Sequence, residues 1–330
     1  MPDNDAPTMD VHLTPDEMAD QLAADAREGL TADEKWIPPT WFYDDLGCDL
    51  FDQITRLPEY YPTRTERSIL AAEAGSIVER AQPGTVVELG SGTSEKTTIL
   101  LDATDEAGLL ERFVPFDVSQ STISDAMHRL SDRYDDVSFH GVVGDFRTHL
   151  GDVLAASQNG SPRLVVFLGG TIGNFRPDER LRFHQEVAKG LGPDDRFLLG
   201  TDLVKETDRL EAAYDDASGV TAAFNKNVLS VMNRELGADF DPANFTHISR
   251  WSPEHQRIEM RLRSELDQQV AVDELDLAIE FDLGEELLTE ISCKFTPEQI
   301  RDELAEVGLA VDEQFTDSAD DFLVTLARAS

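Results

Sequence analysis

The residues whose types and spacing could do chemistry are two glycines and two acids. Gly90 and Gly92 follow the apolar run Thr85-Val86-Val87-Glu88-Leu89, Asp117 lies 27 positions after Gly90, and Asp145 is followed directly by Phe146. Glycines lack Cβ atoms, so the backbone can turn sharply and a ligand can lie close against it. An acid at the end of the next strand suits a ribose hydroxyl pair. An acid followed by an aromatic ring suits an adenine, the carboxylate taking the exocyclic amine and the ring packing on the base. Three successive strand ends carrying this chemistry describe the carboxyl edge of an α/β sheet that holds a nucleotide-like cofactor.

Two familiar glycine loops fail against these residues. A dinucleotide fingerprint wants a third glycine where the chain has Glu95, and a phosphate-cradling loop beginning at Gly90 wants a glycine at the same place. A carboxylate there opposes bound phosphates. S-adenosylmethionine carries a sulfonium and no phosphate, so it tolerates Glu95, and it is the cofactor this loop predicts.

The elements that must position these residues follow from pattern. Val86, Val87 and Leu89 read as a strand buried on both faces. Arg112-Phe113-Val114-Pro115-Phe116-Asp117 and Val137 to Val143 read as the next two strands, Leu164 to Leu168 as a central one, and Arg196 to Asp202 as another. A helix from about Thr63 to Arg80 leads into this β/α alternation, which runs to about Asp202. Upstream, Thr14-Pro15-Asp16-Glu17 has the form of a helix start, and that helix runs to about Glu28. Lys35 to Tyr43 is aromatic and proline-rich and reads as an ordered loop, and Leu57-Pro58-Glu59-Tyr60-Tyr61-Pro62 as a stiff aromatic one, with a short helix, about Cys48 to Arg56, between them. After Asp202 the pattern changes. Lys205 to Leu236 reads as helical, then strands are expected at His247 to Trp251, Gln256 to Ser264, Leu277 to Leu283 and Glu286 to Phe295. Thr296 caps a further helix, and Phe322 to Leu326 closes the chain as a strand. The expected division is a disordered tail at 1–10, an α+β substrate domain from 11–62 and 204–330, and a cofactor domain at 63–203.

The chain has 330 residues, with 28 Lys and Arg against 66 Asp and Glu and a net charge of -38. Such acidity repels nucleic acid and anionic membranes, so neither is an expected partner. The acids are dispersed and lysines are few, a pattern expected of a halophilic protein, since salt screens the self-repulsion. Cys48 and Cys293 form no metal or redox spacing. The histidines show no paired spacing, so no metal is expected. With reduced thiols, an acidic amino terminus that does not read as a signal peptide and no membrane-length apolar run, the expectation is a cytoplasmic monomer.

The loop Gly169-Gly170-Thr171-Ile172-Gly173-Asn174-Phe175 follows the central strand and faces the reacting centre in such a sheet. Together with Tyr43-Asp44-Asp45, Leu57-Pro58-Glu59-Tyr60-Tyr61-Pro62-Thr63-Arg64-Thr65-Glu66 and Glu88 to Thr97, it resembles the histidine-specific Nα-methyltransferases. These enzymes form hercynine, the trimethylated betaine of histidine, on the route to ergothioneine. The resemblance runs from about residue 35 to the carboxyl end. It implies a Rossmann-like S-adenosylmethionine-dependent methyltransferase sheet with a second α+β substrate-binding domain, and L-histidine as the small-molecule substrate. It implies cofactor binding by Gly90, Lys96, Asp117, Asp145 and Phe146. Tyr43, Tyr60, Asn174 and Tyr214 resemble the substrate positions, with Asn174 and Tyr214 on the amino-acid head group, Tyr60 on the imidazole, and Tyr43 and Asn174 nearest the chemistry. Glu290 and Ser292 resemble the pair that reads the imidazole. Alternate spacing on a strand puts both on one face, where a carboxylate accepts a ring N–H and a serine completes the pattern. Thr40 and Cys48 depart from the family, which has a basic residue and a serine there, but neither is a ligand position.

The chemistry such a site needs is modest. A neutral α-amine attacks the methyl carbon in line, positive charge moves from sulfur to nitrogen, and the protein mainly orients and desolvates. Three other classes compete. A nicotinamide dehydrogenase lacks its third glycine here. A non-catalytic binding module would fail to transfer methyl groups in a single turnover. A relative acting on another aromatic amino acid differs mainly at Glu290 and Ser292.

Overall fold

The computed structural model describes residues 7–330. These divide into two compact units, one of residues 7–14, Arg64–Leu203 and Phe295–Ser330, the other of Pro15–Thr63 and Val204–Lys294.

The first unit is built on one eight-stranded sheet. Its order is Thr8–Val11, Ser138–Val143, Arg112–Asp117, Thr85–Leu89, Arg163–Phe167, Arg196–Asp202, Phe322–Ala329, Leu309–Thr316. The first six strands run parallel, and the last two are antiparallel additions at one edge. Thr85–Leu89 and Arg163–Phe167 are buried at every position, as strands covered by helices on both faces must be. Thr85–Leu89 pairs with both Arg112–Asp117 and Arg163–Phe167. The chain order reverses there, and a crevice opens at the carboxyl ends of such strands. One face packs Ile69, Leu70 and Ile77 of the helix Tyr61–Ala81 against Leu164, Val166, Leu198 and Val324.

Two expectations about domain limits are corrected. Residues 8–10 are not a disordered tail. Thr8–Val11 pairs in parallel with Ser138–Val143, Thr8 opposite His140, and His140 contacts both Asp10 and Thr8. A short polar edge strand has no alternation to betray it, and its partner lies some 130 residues away. The remainder of that expectation, residues 1–6 with the acidic start of the chain, lies outside the described residues. Nor does the whole of 204–330 belong with the substrate domain. From Phe295 the chain returns to the first unit, where Phe322–Ala329 pairs antiparallel with Arg196–Asp202 and Leu309–Thr316 adds the outermost strand. The helix Pro297–Glu306 has the expected capping box at Thr296 and Gln299.

The second unit carries a three-stranded antiparallel sheet, Glu286–Cys293, Arg257–Ser264 and Phe245–Ser252, and a hairpin of Gln268–Val272 with Leu277–Phe281. The strand Gln268–Val272 is additional to those expected. The helical stretch after Lys205 is two helices, Thr207–Ala213 and Val220–Leu236. Gly219 breaks it at φ +76°, a conformation glycine adopts without strain. The Asp216 carboxylate then accepts from the backbone N–H of Val220 and Thr221, groups orphaned at a helix start. Leu22, Ile54, Phe224, Val228, Met232 and Met260 lie in its core.

Candidate functional site

In the first unit the expected cofactor residues gather at the carboxyl edge of the sheet. Gly90 and Gly92 both have positive φ, +70° and +46°. The Phe146 ring lies over Gly90, so a Cβ there would sit 3.0 Å from its Cζ. Phe146 itself packs against Phe116 and Phe167, at 5.4 and 5.2 Å between centroids. The Asp117 carboxylate accepts from the backbone N–H of Gly92 at 2.9 Å and of Ser119 at 3.1 Å. Burial holds its pKa above the usual carboxylate range, against the backbone hydrogen bonds that lower it. Asp117 therefore shapes the glycine turn as well as ending its strand. Asp145 is buried and bound by its neighbour Arg147, whose Nε and Nη2 lie 3.2 and 3.1 Å from Oδ2. A ligand amine at this carboxylate shares it with that guanidinium.

Lys96 is also tied in place. Its ammonium pairs with Glu66, whose side chain is fully buried, and both Glu66 oxygens accept from the backbone N–H of Gly169 at 2.9 Å. One carboxylate thus joins the helix Tyr61–Ala81, the cofactor loop and the loop carrying Asn174. Asn174 ends the 3-10 turn Thr171–Asn174, which follows Gly169 and Gly170 at φ +81° and +70°.

The residues around this crevice fit a sulfonium nucleotide. Glu88 is buried, and its Oε2 and the Ser91 Oγ have no hydrogen-bond partner among the described residues. Burial pushes the Glu88 carboxyl up to about 7, with the hydrogen bond from Thr97 pulling the other way. A buried carboxylate beside a glycine turn suits a cationic ligand and opposes a phosphate.

The second unit brings together the remaining expected residues. Tyr43 stands edge-on to Phe51 and Phe224, at 5.7 and 5.6 Å. Phe51 meets Tyr60 at 6.3 Å, and Tyr60 meets Tyr214 at 6.1 Å, giving a continuous aromatic row. Tyr214 is the C-cap of Thr207–Ala213 rather than a mid-helix residue. Its carbonyl accepts from His247 Nε2 at 2.8 Å, and Asn225 Nδ2 donates to His247 Nδ1 at 2.8 Å. This chain of bonds requires a neutral imidazole, and burial keeps its pKa low, the bond to Tyr214 acting in the opposite direction. The Tyr214 hydroxyl lies 2.8 Å from Ser292 Oγ. Glu290, two residues before Ser292 on Glu286–Cys293, is buried, and burial pushes its carboxyl up to about 7, with Lys294 acting to lower it.

Glu88 and Glu66 lie among the candidate residues of the first unit and Lys294 among those of the second, and the sequence motifs did not single them out as site residues. Glu88 and Glu66 sit inside the quoted motifs, but nothing local reveals that they are buried. Lys294 had a signal. Glu290, Ser292 and Lys294 alternate along the strand expected to reach Phe295, which puts all three on one side, although the strand itself ends at Cys293. Lys294 is 2 % exposed; its ammonium donates to the Tyr214 hydroxyl at 2.9 Å and to Ser292 Oγ at 2.8 Å.

Among the described residues no helix is long and apolar enough to cross a membrane. Residues 22–329 match the model of the family described as histidine-specific methyltransferase, SAM-dependent. A histidine N-alpha-methyltransferase of Mycolicibacterium smegmatis is 53% identical over 316 residues, 96% of this chain and 97% of that protein. One of Mycobacterium tuberculosis is 50% identical over the same shares. More distantly, a 4-dimethylallyltryptophan N-methyltransferase of Claviceps purpurea is 26% identical over 73% of this chain and 76% of its own length. With the family match spanning nearly the whole chain, and an α/β sheet whose carboxyl edge suits the cofactor, the chain belongs to the histidine-specific, S-adenosylmethionine-dependent methyltransferases.

Proposed function

We propose that the chain trimethylates the α-amino nitrogen of L-histidine to give hercynine, a reading supported by its similarity to two proteins named histidine N-alpha-methyltransferase. The observation that carries the substrate is the buried Glu290 on the same strand face as Ser292, beside Tyr214. Bound S-adenosylmethionine supplies an electrophilic methyl carbon on its sulfonium. Glu290 accepts the imidazole N–H, Ser292 completes the reading of the ring, and Tyr60 packs against it. Asn174 and Tyr214 are assigned to the head group. Gly90 and Lys96 belong to the cofactor loop, Asp117 takes the ribose hydroxyls, and Asp145 with Phe146 holds the adenine. Tyr43, at one end of the aromatic row, is the tyrosine assigned nearest the reacting nitrogen. Each of the first two transfers leaves an ammonium that must lose a proton before the next. The third leaves a cation with no N–H, so the last product needs no base.

The competing substrate is another aromatic amino acid, favoured by the similarity to an enzyme named for a tryptophan derivative. An amino-acid panel incubated with S-adenosylmethionine and read by mass spectrometry separates the two. Histidine should gain three methyl groups in succession, all on the α-nitrogen. Histidine left unmodified while another amino acid is methylated refutes the assignment. The charge of -38 further supports adaptation to high salt, and a complement of two cysteines, Cys48 and Cys293, supports a reducing, cytoplasmic setting.

A further inference from the structure

Lys294 has no place in the assignments above, yet it is among the most deeply buried cations in the second unit. An ammonium has three protons and no lone pair, so it only donates. Two of its contacts are the Tyr214 hydroxyl at 2.9 Å and Ser292 Oγ at 2.8 Å, and these two oxygens are themselves 2.8 Å apart. The three atoms form a closed triangle whose directions can be worked out. Of the two hydroxyls, the phenol is the stronger acid and so the better donor. The ammonium touches both oxygens, so the intrinsic difference between phenol and alcohol decides the direction. Tyr214 therefore donates to Ser292 and meets the head group as an acceptor, of an amine N–H. Ser292 Oγ now accepts from both Lys294 and Tyr214, which fills its two lone pairs. Its own proton is what it has left to give.

We propose that Lys294 sets the hydrogen-bond polarity of the substrate pocket, making Ser292 an obligate donor to the ring. This rests on the histidine reading above and deepens it. The ionised Glu290 only accepts, while Ser292 only donates. The strand face then reads a ring with one N–H and one bare nitrogen, which is neutral imidazole. Phenyl, indole and thiophene rings cannot satisfy both groups, and leaving a buried polar group unmatched is what makes such a site reject the wrong ring. Lys294 acts through Ser292, so it is a positioning residue.

The test is a double-mutant cycle with two ring probes, histidine and 3-(2-thienyl)alanine, a five-membered ring without an N–H or a basic nitrogen. The KM for each is measured, or the inhibition constant where the probe binds without turning over. In Lys294→Met, of similar volume, the histidine KM should rise about tenfold and the thienylalanine constant should change less than about threefold. In a Ser292→Ala background the same lysine change should add little, because two residues acting through one contact are not additive. Lys294→Gln, which keeps two N–H donors, should recover most of the histidine preference and serves as the working variant if Lys294→Met does not fold. Calorimetric binding of S-adenosylhomocysteine should be unchanged throughout. Equal losses for both probes, or full additivity with Ser292→Ala, would overturn the proposal while leaving the histidine assignment standing. A wild-type protein that methylates another amino acid but not histidine would overturn the assignment itself, and this inference with it.

Discussion

Replacing Glu290 by Gln separates what this carboxylate costs the fold from what it does for the substrate. Burial pushes its pKa from 4.5 to about 7. A shift of that size corresponds to about 3 kcal/mol of difference between the two protonation states. The folded state holds the proton more tightly than the unfolded chain does. The stability contributed by this residue is therefore complete below about pH 4.5 and is lost as pH rises through about 7. Glutamine has the same shape and no such dependence. Between pH 5 and pH 8, the ligand-free wild type should lose up to about 3 kcal/mol relative to Glu290→Gln, read as the difference between their denaturant midpoints at constant high salt. Substrate binding should run the other way. The ring N–H is held best by the ionised carboxylate, and a hydrogen bond to a charged group contributes about 1.5–3 kcal/mol. At pH 8 the variant's histidine KM should therefore be about ten- to a hundredfold higher than that of the wild type. The wild type's advantage in binding histidine should shrink as pH falls below 7. The free substrate titrates identically in both assays, so the comparison cancels it. Parallel stability curves for the two proteins, or equal histidine KM at pH 8, would refute the picture of a buried carboxylate that is strained alone and used by the substrate.

Asp117→Ala should weaken S-adenosylhomocysteine binding at least tenfold, from the loss of a charge-assisted bond of about 1.5–3 kcal/mol. Part of that loss comes through the glycine turn, whose Gly92 N–H loses its acceptor, so unchanged affinity by titration calorimetry would remove Asp117 from the site. Salt should matter across the whole chain. Screening lengths of about 30 Å at 0.01 M and about 3 Å at 1 M mean that molar KCl removes most of the repulsion among charges summing to -38. Melting temperature and activity should both rise from dilute buffer to molar KCl, and equal melting temperatures would leave the acidity without a stability role.

What the sequence determined by itself is what depends on neighbours along the chain. Thr85–Leu89 reads as a doubly buried strand because Val86, Val87 and Leu89 are apolar, and that is the strand observed. The capping box at Thr296, the glycine turn at Gly90 and Gly92, and the shared face of Glu290 and Ser292 are all written within a few residues. The similarity of three long motifs and one short one then sufficed to place the chain in its family. Contacts between distant segments are not written that way. Thr8–Val11 becomes a strand through Ser138–Val143, and Phe322–Ala329 joins the first unit through Arg196–Asp202. Glu66 and Lys294 read as two more charges in a charged chain. Only packing buries them, and a buried charge must find partners. Glu66 finds Lys96 and the Gly169 backbone, and Lys294 finds Tyr214 and Ser292. Burial is a property of the assembled chain. It turns a surface-type residue into one that orders a loop or sets which way a hydroxyl donates, and for that reason these roles were decided by the tertiary structure alone.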